Sequence, residues 1–127
     1  MKAYTNISQS KQLAEILPIE SADFGWNVFV DGTTRILPIN DWDITKDGSN
    51  GVKFLHAWSL AALRACLPSG ININGILYVF ESHNTFDNEW VYEYKFEDIS
   101  APLYSKSSNE IDACYEMILK LHEQKIL

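Results

Sequence analysis

Asp43, Thr45 and Asp47 place oxygen-bearing side chains at alternate positions, and Gly48 follows directly. This is the opening of a calcium loop, which takes oxygens from positions 1, 3 and 5 and turns at a glycine in position 6. Position 12 then falls on Phe54, where a bidentate carboxylate is needed, and no clear helix precedes the loop. The ligand set is incomplete, so a plain acidic loop is expected, with no metal and no cofactor. Asp41 stands two residues before Asp43. Trp42 stands between them.

Asp41-Trp42-Asp43-Ile44-Thr45 resembles the aspartate signature of haloacid-dehalogenase-type phosphotransferases. That resemblance implies one carboxylate as nucleophile and the second as acid and base, on a parallel sheet with further acidic ligands downstream, and the pattern of elements here does not supply the sheet. His56, His83 and His122 are far apart and form no H-x-x-x-H, H-E-x-x-H or C-x-x-C arrangement, so three unrelated histidines are expected. Cys66 with His56 suggests a nucleophile and a base, but Cys66 lies in an apolar run, where a thiol loses reactivity. No glycine-rich phosphate loop or serine elbow is present, and no catalytic residue is assigned.

The elements that must position these residues begin with the run from Ala57 to Leu67, which Pro68 ends. Apart from Ser59 and Arg64 it is apolar on nearly every side, which predicts a central buried helix capped by Ser59. Thr5 or Asn6 caps a first helix carrying Ile7, Leu13, Ala14, Ile16 and Leu17 before Pro18. Trp26 to Val30 reads as a strand, Asp31-Gly32 as a hairpin turn, and Thr33 to Leu37 as the return. Ile39 to Leu55 reads as a long loop. Ile76–Glu81 and Glu89–Glu97 are strands joined through Ser82–Asn88. In the second of these, Trp90, Tyr92, Tyr94 and Phe96 share one parity and Glu89, Glu93, Lys95 and Glu97 the other, which predicts one buried and one wet face. Pairing Phe80 with Trp90 and Tyr78 with Tyr92 would bring rings together across the hairpin. The last helix is capped by Asn109 or Ser107 and buries Ile111, Cys114, Met117, Ile118 and Leu121. The expected fold is a single α+β domain over 1–127, with an antiparallel sheet of about four strands packed with three helices, in the order α-β-β-α-β-β-α.

The 127 residues, 46% hydrophobic, can bury a core without a metal or disulfide staple, so the two cysteines are expected as reduced core thiols. A net charge of −7 disfavours nucleic acid and anionic membranes, which both need a positive field. The N-terminus has no apolar signal core and no long apolar run follows, so the expected location is the cytoplasm.

Gln9–Pro18 with Glu20–Asp23, then Ala57–Leu63, then Asp112–His122, resemble an uncharacterised family of small proteins from gut Bacteroidales bacteria and their phages or prophages. The resemblance implies a phage or mobile-element setting and a shared fold, and it brings no activity or ligand. Two functions follow from the residues. The first is a non-enzymatic protein-interaction module, with an acidic inhibitor of a basic partner as a special case. Its partner-binding residues would be Trp42 flanked by Asp41 and Asp43, with Phe86 on the loop between the aromatic strands. The alternative is a small enzyme or ligand-binding protein using the acidic loop 39–55, with Asp41, Asp43 and His56.

Overall fold

The structure, a computed structural model, describes residues 2–39 and 53–127. The chain is α+β. Among the described residues it has three helices and seven strands in two antiparallel sheets. In order these are α1 (Ile7–Leu13), β1 (Phe24–Val28), β2 (Thr34–Pro38), β3 (Lys53–Ala57), α2 (Leu60–Cys66), β4 (Gly70–Ile73), β5 (Ile76–Asn84), β6 (Trp90–Phe96), β7 (Ile99–Ser107) and α3 (Glu110–Glu123). The three helices and the two hairpins form in the stretches the sequence predicts, with shifted ends, but β3, β4 and β7 are additional and the sheet is two sheets. The chain forms two compact units, residues 3–62 and residues 63–127 with Lys2, and the boundary falls inside α2.

In residues 3–62 the sheet order is β2-β1-β3. Asn6 caps α1: its side chain accepts from the Gln9 amide while Gln9 reaches back to the Asn6 amide. The β1–β2 turn carries Gly32 at φ 89°, and Asp31 accepts from the Thr33 amide and hydroxyl. β3 starts in what the sequence suggests is loop, and it pairs with β1 so that Trp26 faces Leu55. Gly25 leaves room there for the Phe54 ring, which a Cβ would meet at 2.3 Å and displace. Residues 40–52, including Asp41, Trp42 and Asp43, lie outside the described residues.

A dense hydrogen-bond network gathers at Trp58. The Thr5 amide donates to the Trp58 carbonyl (3.0 Å), the Trp58 amide donates to Thr5 Oγ1 (3.1 Å), and the Trp58 indole donates to Ser21 Oγ (2.9 Å). The Trp26 indole donates to the Thr5 carbonyl at 2.9 Å. Thr5, Ser10, Leu13, Ala57 and Trp58 are all fully buried. Ala57 and Trp58 therefore do not begin the central helix, as the sequence suggests; one ends β3 and the other joins it to α2. Ser59 does cap α2, accepting from the Ala62 amide at 3.2 Å, and is itself held by Asp23.

α2 is not buried on every side. Leu63 is fully buried, whereas Ala61, Arg64 and Ala65 are exposed. A run of alanines lacks charge, but alanine is also small enough to sit at the surface at little cost, so lack of charge does not imply burial.

In residues 63–127 the sheet order is β4-β5-β6-β7, and α3 packs on β6 and β7. β4 and β5 are joined by Asn74-Gly75 with φ of 53° and 84°, a two-residue turn that suits the twist of the strands. β6 and β7 are joined by Glu97-Asp98, with Glu97 at φ 54°. The β5–β6 pairing differs from the sequence expectation: Phe80 faces Tyr94, and Asn84 faces Trp90. The strands run on to Asn84, which shortens the loop and slides the register. Phe80 still touches both Tyr92 and Tyr94, with ring centroids 5.3 and 5.4 Å away.

Burial along β6 also departs from strict alternation. Tyr92 and Tyr94 are fully buried, but Phe96 is 40% exposed and Trp90 half-buried, while Val91 and Glu93 on the other parity are buried. β6 is an interior strand, so Glu81 and Tyr104 flank Glu93 on both sides, and Lys95 lies 3.6 Å from its carboxylate.

α3 follows its predicted pattern. Asn109 accepts from the amides of Ile111 and Asp112, and Ile111, Ala113, Cys114, Met117, Ile118 and Leu121 are buried. Its C-terminus closes with the Ile126 amide on the Leu121 carbonyl (2.9 Å) and the Lys125 amide on His122 (2.9 Å), a Schellman arrangement with Lys125 at φ 60°. Lys125→Gly should therefore stabilise the fold by about 0.5–1 kcal/mol, the left-handed penalty of ~1–2 less the extra ~0.5–1 of chain entropy glycine loses. A denaturation midpoint below wild type would contradict this.

Candidate functional site

The β5–β6 hairpin ends in a short, closely bonded loop. The Thr85 amide donates to the Glu89 carbonyl (2.7 Å), the Asn88 amide to the Thr85 carbonyl (3.0 Å), and the Glu89 amide to Thr85 Oγ1 (3.1 Å). The Thr85 hydroxyl also binds the Asp87 carboxylate, and Asn88 takes φ 62° to close the turn. Each of these bonds fixes the loop backbone and leaves Phe86 with nothing to cover it. Its side chain is fully exposed. The hydroxyl of Thr85, aided by the charge of Lys106, holds the Asp87 carboxyl below its usual range, so a carboxylate stands beside the ring at neutral pH.

Chemically this is a rigid ring next to negative charge, the pairing that fills an apolar pocket on a positively charged surface. The β1–β2 turn carries a smaller counterpart, in which Val30 is 80% exposed beside Asp31. Sequence reasoning places Val30 inside a strand; β1 ends at Val28, and the Phe29 amide already bonds back to Thr33.

A second cluster, which the sequence does not disclose, joins α2, β5, β6 and α3. Arg64 Nη1 donates to Glu110 Oε2 (2.7 Å) and to the Tyr92 hydroxyl (3.2 Å), Nη2 reaches Ser82 (3.4 Å), and the Tyr92 hydroxyl donates to the same Glu110 oxygen (2.6 Å). The guanidinium carbon stands 5.6 Å from the Tyr92 ring centroid. Burial opposes the Arg64 charge, but Tyr92 and Glu110 outweigh it and its pKa is raised.

Burial and the Glu110 hydrogen bond push the Tyr92 phenol well above its ordinary value, and burial pushes the Cys114 thiol up to about 12. Neither group ionises at neutral pH, so the cluster offers no nucleophile and acts as a lock on the fold. The four residues lie far apart in sequence, which is why no local motif announces them.

The remaining sequence candidates are dispersed. His56 is in β3, His83 in β5 and His122 in α3. Cys66 is the last residue of α2 and half-buried, and both cysteines are free. Among the described residues no three His, Cys, Asp or Glu side chains gather closely enough to hold a metal ion. Among them, too, no helix is long and apolar enough to cross a membrane. Asp41, Trp42 and Asp43 cannot be joined to Phe86 in a site, since they lie outside the described residues. Comparison of the chain with protein-family models, curated proteins and solved structures finds no match.

Proposed function

We propose that this chain is a non-enzymatic protein-interaction module that presents the β5–β6 hairpin tip to a basic protein partner. The observation that carries the reading is Phe86: an aromatic ring wholly in solvent, on a loop whose backbone is tied down by its own hydrogen bonds. An exposed phenylalanine on a loose loop would be unremarked surface. On a braced loop its contact geometry is set in advance, so little ordering entropy is lost when it docks. The carboxylates of Asp87 and Glu89 and the net charge of −7 favour a positively charged partner and speed encounter with it. An acidic inhibitor that occupies a phosphate-binding surface is one form this module can take. The resemblance of the helical blocks supports a phage or mobile-element setting, and the two free thiols suit the reducing cytoplasm.

Phe86→Ala should leave the denaturation midpoint within what ~0.5 kcal/mol would produce, because the ring contributes nothing to the core. Affinity capture from the native host, with partners identified by mass spectrometry, should lose its main partner in this variant. Equal capture by wild type and Phe86→Ala would overturn the reading.

A further inference from the structure

The cleft of about 350 Å³ between the β4–β5 turn and the end of α3 is lined by Asn72, Ile73, Asn74, Leu103, Gln124 and Ile126. We propose that it binds an uncharged, extended stretch of polypeptide, taking one aliphatic side chain and the peptide groups on either side of it. This goes beyond the hairpin reading and does not depend on it, since here the chain receives a segment instead of presenting one.

The lining selects the ligand class. Among the described residues no charged one lines it, so an ionised group would lose hydration and meet no opposite charge there. Ile73, Leu103 and Ile126 supply aliphatic surface, and the polar groups are all carboxamides. The Asn72 oxygen is already taken by the Gly75 amide at 3.0 Å, which leaves its NH₂ to donate. The Asn74 and Gln124 carboxamides make no hydrogen bond among the described residues, so each offers a donor and an acceptor. A peptide group also carries one donor and one acceptor, and in an extended chain such groups flank each side chain.

Other neutral ligands fit less well. An acyl chain would leave the Asn74 and Gln124 carboxamides and the Asn72 NH₂ without a ligand partner, and a sugar would turn hydroxyls toward three aliphatic side chains. The volume, near the lower end of the ~300–1,000 Å³ typical of ligand sites, suits a single residue with its neighbouring peptide groups. Both walls are braced: Asn74 and Gly75 form the two-residue turn, and the Ile126 amide is tied to the Leu121 carbonyl. Apolar surface continues past the cleft, since Ile76, directly opposite Ile73, is 40% exposed.

The test uses N-acetyl-leucine N′-methylamide as the neutral probe and N-acetyl-leucine, which ends in a carboxylate, as its charged counterpart. Nitrogen-15 NMR follows the side-chain NH₂ signals of Asn72, Asn74 and Gln124 in the full chain. The neutral probe should shift them saturably at millimolar concentration, and the carboxylate should not. Asn74→Gly with Gln124→Ala should weaken the neutral probe about tenfold, the loss of one or two hydrogen bonds, and should keep the wild-type backbone spectrum elsewhere. Phe86→Ala should bind the probe as wild type does, so failure here is separable from failure of the hairpin reading. Unmoved NH₂ signals, an equal response to the carboxylate, or full binding by the double variant would each overturn the proposal.

Discussion

Replacing Trp58 with alanine is expected to lower the free energy of unfolding by about 3–5 kcal/mol, the range for a large buried aromatic. Trp58 is fully exposed to the interior and not at all to solvent, and its indole N–H is satisfied by Ser21 Oγ at 2.9 Å. Removing the ring leaves a cavity that the short β3 and the α1 turn cannot fill without breaking the Thr5 bonds on either side of it. It also leaves Ser21 without its donor. Trp58→Phe should cost less, because most of the apolar volume stays and the Ser21 hydroxyl keeps the bond it already donates to the Pro18 carbonyl at 2.6 Å. Urea denaturation followed by far-ultraviolet circular dichroism reads both variants. A Trp58→Ala midpoint close to wild type would mean that this residue is not the core of residues 3–62.

Alkaline pH is the second large effect. Burial raises the Cys114 thiol from its ordinary 9.0 to about 12, and burial likewise raises the phenols of Tyr92 and Tyr94 above their ordinary 10.0. For an acid held neutral in the fold, the stabilising contribution is complete below the unfolded pKa and is lost as pH rises toward the folded one. Stability should therefore hold up to pH 9, fall between 9 and 12 as the unfolded thiol ionises, and fall more steeply above 10 when the tyrosines join. Each group contributes a slope of at most ~1.4 kcal/mol per pH unit. Urea midpoints measured across this range give the curve. Cys114→Ala should flatten its first part, since the thiol alone titrates there among these three. A curve that is level through pH 10 in the wild type would show that these groups are not sequestered as the structure has them.

Legibility in the sequence followed the range of the interactions. Capping by Asn6, Ser59 and Asn109 depends on a side chain and an amide two or three residues on, and all three were readable from spacing. The apolar stripe of α3 was readable for the same reason, since its period is a property of one helix. The β1–β2 turn was announced by Asp31-Gly32. Asn74-Gly75 carries an equally strong turn signal, but the strand before it, Gly70–Ile73, is only four residues long and follows the helix end at Pro68-Ser69 so closely that no apolar run marks it. Lys125 and Glu97 gave no such cue: both hold φ values near 60° without being glycine, and only their surroundings impose that conformation.

By itself, then, the sequence determined the α+β class, the three helices, the two central hairpins and the acidic character, all of which rest on local periodicity, turn chemistry and composition. The tertiary structure alone decided the rest. It assigned β3 and β7 as strands, although one begins in a polar stretch and the other contains Pro102, since a strand is completed by its neighbour's hydrogen bonds. It moved burial from the alanines of α2 to Ala57 and Trp58, and it buried Glu93 between two flanking strands. It gathered Arg64, Tyr92 and Glu110, and set the carboxamides of Asn72, Asn74 and Gln124 around one cleft. Phe86 was legible as a loop aromatic; that its ring stands free on a braced backbone was not, because solvent exposure depends on every other atom that could have covered it.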